Sequence, residues 1–205
     1  MLDLSIRPPQ RFEFPSTLFN DAKSLVVLKL NGNIVLNAPR SFGFPSLKTL
    51  LLENVWYLLL CSFSTLFMCC PVLQNLYLRI VNRNSSVRTA IQSFRIIVPT
   101  LKILNLDIND RYCKLWIKAP ALEYHYVRGY IVEHVLLGNL SNLVEANVGV
   151  YFDEKADYRN RIRDFIGALS NVKSLHLNAF ITQVPPKKEE EKKKIFFFSC
   201  SVING

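Results

Sequence analysis

The chain has 205 residues, of which 50% are hydrophobic and 20% are charged, with a formal net charge of +9. This composition excludes global disorder and supplies enough apolar side chains for one sizeable domain. The positive charge raises nucleic-acid binding as one hypothesis for its function.

The N-terminus, MLDLSIRPPQ, lacks a basic segment followed by an apolar one, so we expect no secretory signal peptide. The cysteines follow no CxxC or Cys/His spacing typical of zinc sites. Their number is odd, and they are Cys61, Cys69, Cys70, Cys113 and Cys200. We therefore expect reduced thiols and a cytoplasmic or nuclear protein.

A leucine pattern, L-x-x-L-x-L, recurs along the chain. Full copies begin at Leu25, Leu47, Leu73 and Leu101, and degenerate copies begin at Leu122, Leu143 and Val172. The starts lie 21 to 29 residues apart, which is the spacing of leucine-rich repeats. Four copies carry a proline two places before the first apolar residue, and we predict that each opens a strand: Pro45, Pro71, Pro99 and Pro120.

This repeat predicts an α/β fold, a leucine-rich-repeat solenoid. Each x-L-x-L segment is predicted as a short strand with its leucines pointing inward. Stacked strands form a curved parallel sheet on one face, with mixed helices and short strands on the other. The opening LDLSI is predicted as a further strand of the same array.

The segments between the repeats predict different closing elements. Residues 55–70 are strongly apolar, but Ser62, Ser64 and Thr65 interrupt them and Pro71 ends them, so we predict a buried helix and no membrane span. Residues 113–119 alternate in the manner of a strand, whereas residues 158–169 have helical spacing. Cys70 holds the place that other copies give to phenylalanine, valine or alanine, which indicates an apolar role rather than a thiol site.

The C-terminal segment departs from the repeat. We predict a leucine-rich-repeat domain of about seven to eight repeats over residues 1–182 and a tail over 183–205. The run KKEEEKKK is low in complexity and predicted to be disordered. IFFFSCSVING is apolar without the leucine period, which indicates a non-family tail, with a cap for the last repeat as the alternative.

The outward-facing strand residues predict a protein-binding surface. Three basic residues and three acidic ones cancel on this face, and phosphate binding needs a sustained basic stripe, so nucleic acid is an unlikely ligand. Tyrosine, arginine and asparagine are typical of protein interfaces. The candidate binding residues are Tyr77, Arg79, Asn105, Tyr124, Tyr126, Arg128 and His176.

Nothing in the sequence indicates catalysis. No GxGxxG, P-loop, GxSxG or HExxH motif is present, and the three histidines lie on different repeats. His125 holds a leucine position and is interpreted as a core substitution. We expect no catalytic, cofactor or metal site and no small-molecule substrate.

Several phrases resemble the leucine-rich region of plant F-box/FBD/LRR proteins, among them SLVVLKLNGNIVL, FPSLKTLLLENV, KAPALEYHYVRGY and ALSNVKSLHL. The resemblance covers residues 2–182. It implies the substrate receptor of an SCF-type ubiquitin ligase, in which the repeats capture a target protein. The F-box and FBD segments are not found in this sequence, so we expect a truncated member whose binding to the Skp adaptor is doubtful. The alternative hypothesis is a basic nucleic-acid-associated protein, and a receptor ectodomain is disfavoured because no LxGxIP phrase occurs.

Overall fold

A computed structural model describes residues 1–7, 9–15, 17, 22–36, 43–57, 62–81, 93–109, 114–130, 134–138, 140–153, 165, 167–169, 171–182 and 195–203. Strands are numbered in chain order. Within this part of the chain, a nine-stranded main sheet has the order β1-β3-β5-β7-β9-β11-β13-β14-β15. Its strands are β1 (Leu2–Ile6), β3 (Val27–Gly32), β5 (Thr49–Glu53), β7 (Asn75–Val81), β9 (Ile103–Asn109), β11 (Tyr124–Tyr130), β13 (Glu145–Asp153), β14 (Ser174–Thr182) and β15 (Ile195–Ile203).

All neighbours in the main sheet pair in parallel except β14 and β15, which pair antiparallel. Such an arrangement, with one strand from each successive repeat, is that of the predicted solenoid. The prediction that LDLSI forms a strand of the array is also confirmed, because β1 pairs with β3.

The leucines of the repeats form the core. Leu28, Leu50, Leu76 and Leu104 are in register on adjacent strands and all are 0% exposed. His125 and Ala146 continue the same line on the next two strands. Because side chains alternate along a strand, this register leaves the residues between the leucines on the opposite face.

A β-turn precedes each main strand from β3 to β14 and explains the recurrent prolines. In the third of these turns the Leu73 N–H donates to the Cys70 carbonyl at 3.2 Å, with Pro71 between them. Equivalent bonds join Leu47 to Phe44, Leu101 to Val98 and Leu122 to Ala119. The prediction that proline opens the strand is therefore wrong: proline takes the second position of the turn, where its fixed φ is favoured, and the strand begins four residues later.

Short strands close the other side of the solenoid. One small sheet contains β2 (Phe12–Glu13), β4 (Ile34–Leu36) and β6 (Trp56–Tyr57), and a second contains β8 (Ser93–Ile97), β10 (Lys114–Lys118) and β12 (His134–Leu137). Ile34, Ile96 and Ile117 pack in one core with the repeat leucines. The strand predicted over residues 113–119 is confirmed by β10, in which Leu115 and Ile117 are buried.

The apolar segment 55–70 is only partly helical. A helix, α1, spans Ser62–Met68, whereas Trp56–Tyr57 belong to strand β6, so the prediction of one continuous buried helix is wrong. Leu66 and Phe67 face the core, while Met68 is 73% exposed. In the described part of the chain, no helix combines the length and the apolar character that crossing a bilayer requires. Most of the helix predicted at 158–169 falls outside the described residues, although Phe165 and Leu169 are buried.

The C-terminal strand differs from the predicted tail. Residues 195–203 form β15, which pairs with β14 along nine residues from Ser174↔Ile203 to Thr182↔Ile195. Here the structure has the arrangement of the alternative, a cap on the last repeat. The physical reason lies in the unpaired backbone groups of β14, which a strand of β-favouring residues such as phenylalanine and isoleucine can satisfy. The charged run KKEEEKKK lies outside the described residues.

Two glycines have backbone conformations that other residues rarely adopt. Gly32 and Gly129 have φ values of +107° and +114°. A Cβ atom at Gly129 would lie 2.0 Å from the Ile108 carbonyl oxygen, and one at Gly32 would lie 1.9 Å from that of Ile6. Both positions therefore need glycine for the close approach of neighbouring strands.

Candidate protein-binding surface

Three rows of outward residues, each with one residue from every strand from β3 to β14, cross the main sheet, and we call these three rows the open face. The first row is Val27, Thr49, Asn75, Ile103, Tyr124, Glu145 and Ser174. The second row is Lys29, Leu51, Tyr77, Asn105, Tyr126, Asn147 and His176. The third row is Asn31, Glu53, Arg79, Asp107, Arg128, Gly149 and Asn178. All these residues are partly or fully exposed.

The parallel register brings all seven predicted binding residues onto this face. Tyr77 and Arg79 lie on β7, Asn105 on β9, and His176 on β14. Tyr124, Tyr126 and Arg128 lie together on β11. Neighbouring strands are about 4.8 Å apart, so the residues on β7, β9 and β11 form one continuous patch, and His176 lies two strands beyond it. Their role in binding stays a prediction.

Charges of opposite sign alternate along the third row. Glu53, Arg79, Asp107 and Arg128 stand side by side on β5, β7, β9 and β11. The Arg79 Nε atom lies 3.3 Å from Asp107 Oδ2, and both side chains are partly exposed. Such a pair contributes up to about 1 kcal/mol to stability. Its larger effect is to fix the direction of the Arg79 guanidinium and to cancel its charge.

Aromatic and amide side chains alternate along the second row, where Tyr77, Asn105, Tyr126 and Asn147 occupy successive strands. The Tyr126 hydroxyl donates to Glu145 Oε1 at 3.5 Å. Partial burial raises the pKa of the Tyr126 phenol above its ordinary value, and the Glu145 carboxylate adds to this effect. The phenol therefore stays protonated, and the row offers flat apolar rings with hydrogen-bonding tips.

Two further side-chain contacts lie on the open face. Asn75 Nδ2 donates to Thr49 Oγ1 at 3.0 Å. His176 Nε2 lies 3.1 Å from Ser174 Oγ, within hydrogen-bond distance. These contacts order side chains before any partner arrives, which reduces the entropy that binding would otherwise cost.

The predicted binding residues were chosen by residue type. Other residues of the open face, which were not chosen, contact or adjoin them in the structure. Asp107 and Glu145 hold the polar ends of Arg79 and Tyr126, and Gly149 leaves space beside Arg128. The period-two pattern placed all three residues outward. No sequence signal showed which strand neighbours they face, because the connecting segments differ in length from repeat to repeat.

Of the two adjacent cysteines, Cys70 is buried and held in the core. Cys70 is 1% exposed, and its Sγ donates to the Leu66 carbonyl at 3.2 Å. Burial raises the pKa of the Cys70 thiol to about 12, and the neighbouring Cys69 contributes to the shift. The thiol is therefore protonated at neutral pH and lacks nucleophilic character. The predicted apolar role of Cys70 is confirmed.

His125 lies in the core beneath the open face. It is 1% exposed, and within the described residues its Nδ1 atom has no hydrogen-bond partner. Burial lowers the pKa of His125 to about 4. A hydrogen bond to the Leu104 backbone raises the pKa, but by less than burial lowers it. The prediction that His125 substitutes for a core leucine is confirmed. Among the described residues, no three His, Cys, Asp or Glu side chains gather in a way that could hold a metal ion.

Comparison with known proteins identifies the repeats. A family model described as "FBD-associated F-box protein At5g56370, LRR repeats" matches residues 1–135. The chain is similar to the Arabidopsis thaliana F-box/FBD/LRR-repeat protein At1g78750, with 32% identity over 181 residues, 80% of this chain and 37% of that protein. Two further relatives come from the same plant. The FBD-associated F-box protein At5g60610 is 33% identical, over 83% of this chain and 42% of that protein. The F-box/LRR-repeat protein At3g26922 is 35% identical, over 81% of this chain and 52% of that protein.

The chain thus spans between 37% and 52% of the length of these three relatives. No solved structure matches it significantly.

Proposed function

The chain belongs to the family of FBD-associated F-box proteins with leucine-rich repeats, and from this premise we propose that its open face captures a protein target for an SCF-type ubiquitin ligase. The proposed role is non-catalytic. The observation that carries it is the register of the main sheet, which joins Tyr77, Tyr124 and Tyr126 with Arg79 and Arg128 in one solvent-facing patch.

The composition of the patch favours a protein partner. Tyrosine and arginine supply large contact areas and directed hydrogen bonds, and they dominate the binding energy of many interfaces. The alternation of Glu53, Arg79, Asp107 and Arg128 prevents a continuous basic stripe on this face. A nucleic acid would need such a stripe to neutralise several phosphates at once.

The proposal is tested by affinity capture from plant cell extract with the full chain. Three baits are compared: the wild type, a variant with Tyr77, Tyr124 and Tyr126 changed to alanine, and a Trp116→Ala control. Trp116 is 43% exposed but lies on β10, away from the open face. We expect the wild type and the control to capture the same proteins and the triple variant to lose them. Since one hot-spot truncation costs about 2 kcal/mol, the loss should exceed roughly 30-fold in affinity. Equal capture by all three baits would refute the proposal.

Two further measurements address the ligase and the alternative ligand. Co-purification with the Skp adaptor would show a ligase-docking surface within these 205 residues, whereas its failure would restrict the chain to target capture. Binding to generic DNA or RNA that falls steeply with salt would favour the nucleic-acid alternative. We propose that the protein acts in the cytoplasm or nucleus, which a fluorescent fusion would test.

A further inference from the structure

Arg128 differs from the other basic residues of the open face in its surroundings. Lys29 pairs with Asp3 at 3.8 Å, and Arg79 pairs with Asp107 at 3.3 Å. Arg128 is exposed and, among the described residues, forms no ion pair. Asp107, its acidic neighbour on β9, is the carboxylate that Arg79 engages.

On its other side Arg128 adjoins Gly149, which leaves a gap in the third row. Unlike Gly32 and Gly129, Gly149 does not have the left-handed φ that requires glycine. Among the described residues, a Cβ atom there would meet only the Val127 carbonyl oxygen at 3.9 Å and Arg128 Cγ at 4.0 Å, which are ordinary contacts. The fold would thus accept a side chain at this position, and its absence opens space beside the guanidinium.

The residues bordering this gap are hydrogen-bond donors. Asn178 adjoins Gly149 on β14, and Asn147 lies two residues before it on β13. The acidic residues of the face are farther away: Asp107 is two strands distant, about 10 Å, and Glu145 is four residues along the strand, about 13 Å. We call the gap over Gly149, bordered by Arg128 and Asn178, the notch.

We propose that the notch binds a carboxylate side chain of the protein partner, an inference that rests on the proposed target-binding function. The guanidinium presents two parallel N–H groups to a carboxylate, and Asn178 adds a neutral donor on the far side. A neutral or basic group in the notch would leave the Arg128 charge uncompensated when the partner covers it, which is costly. We therefore expect the partner to place an aspartate or glutamate over β13, and beside it an apolar or aromatic residue that contacts the Tyr126 ring.

The test is a selection of random peptides displayed on phage, with the immobilised full chain as bait. Peptides that depend on Tyr77 and Tyr126 are expected to be enriched in aspartate and glutamate. Fluorescence anisotropy of a selected peptide should show at least about tenfold weaker binding to Arg128→Ala. Arg95→Ala, an equal change of charge at an exposed site on β8, is the matched control and should bind as the wild type does.

A second pair of variants separates charge from volume. Gly149→Asp places a carboxylate beside Arg128 and should weaken binding more than Gly149→Asn, which has nearly the same size and no charge. Tyrosine-dependent peptides without acidic enrichment, or with equal affinity for Arg128→Ala, would overturn the inference and leave the proposed function standing. Failure to obtain any tyrosine-dependent peptide would overturn both.

Discussion

Replacement of His125 by leucine should stabilise the protein and make it less sensitive to acid. His125 occupies a leucine position between Leu104 and Ala146 in the core ladder, and its Nδ1 atom is buried without a partner among the described residues. His125→Leu restores the repeat pattern and removes the unsatisfied atom. Since a buried unpaired polar group costs about 1–3 kcal/mol, we expect a gain of that size in the free energy of unfolding at pH 7.5.

The pH dependence follows from the pKa of the same side chain. In the unfolded chain His125 titrates at the ordinary histidine pKa of 6.5, whereas burial lowers the pKa to about 4 in the folded protein. Between these values the unfolded state binds more protons than the folded state, so stability falls as the pH falls. At 1.36 kcal/mol per pKa unit, the wild type should lose about 2 kcal/mol between pH 6.5 and pH 5 through this residue alone. The total loss approaches about 3 kcal/mol at pH 4.

Urea denaturation followed by circular dichroism, at pH 7.5 and at pH 5, measures both effects. Acidic residues also titrate in this range, so the informative quantity is the difference in unfolding free energy between His125→Leu and the wild type. That difference should grow by about 2 kcal/mol on going to pH 5. Leu104→Met, a nearly volume-conserving change in the same line of core residues that removes no titratable group, is the control and should keep the acid sensitivity of the wild type. A difference that does not change with pH would refute the reasoning about His125.

Two other changes test the backbone and the thiols. Gly129→Ala should lower the free energy of unfolding by about 1–3 kcal/mol or more in thermal or urea denaturation. The new Cβ atom would lie 2.0 Å from the Ile108 carbonyl oxygen, and the backbone at residue 129 has a left-handed φ. Gly167→Ala is the control, because its Cβ atom would meet no heavy atom of the described residues within 4 Å, and equal losses for the two variants would contradict the argument. The Cys70 thiol should resist iodoacetamide at pH 8 in the native protein and react after unfolding in urea, as measured by mass spectrometry, because burial raises its pKa to about 12. Rapid labelling of Cys70 without urea would show that its surroundings open readily.

The sequence predicted correctly which side chains of each repeat strand are buried and which are exposed. It did not predict which residues of adjacent strands lie beside them. The spacing of Leu73, Leu76 and Leu78 identifies the buried side of a strand because side chains alternate with a period of two. The same rule placed Tyr77 and Arg79 outward. It could not show that Arg79 faces Asp107, because that depends on how the chain returns to the sheet over the 21 residues, 82–102, between β7 and β9.

Some segments have local patterns that do not reveal their tertiary contacts. The apolar run 55–70 suits a helix, yet Trp56–Tyr57 pair with β4, where backbone groups of the small sheet are available. The segment 195–203 carries no leucine period, because an antiparallel strand at the end of the array need not follow the repeat. The turn at Pro71 was missed because proline suits both the second position of a turn and the first residue of a strand, so residue type alone does not distinguish them.

The reversed direction of β15 changes which strand pairing this edge of the main sheet can accept. A strand added directly to β14 in the direction of the other main strands would repeat the parallel β13–β14 contact. Because β15 occupies that place and runs the opposite way, a strand with the direction of β14 can pair with β15 only in an antiparallel ladder.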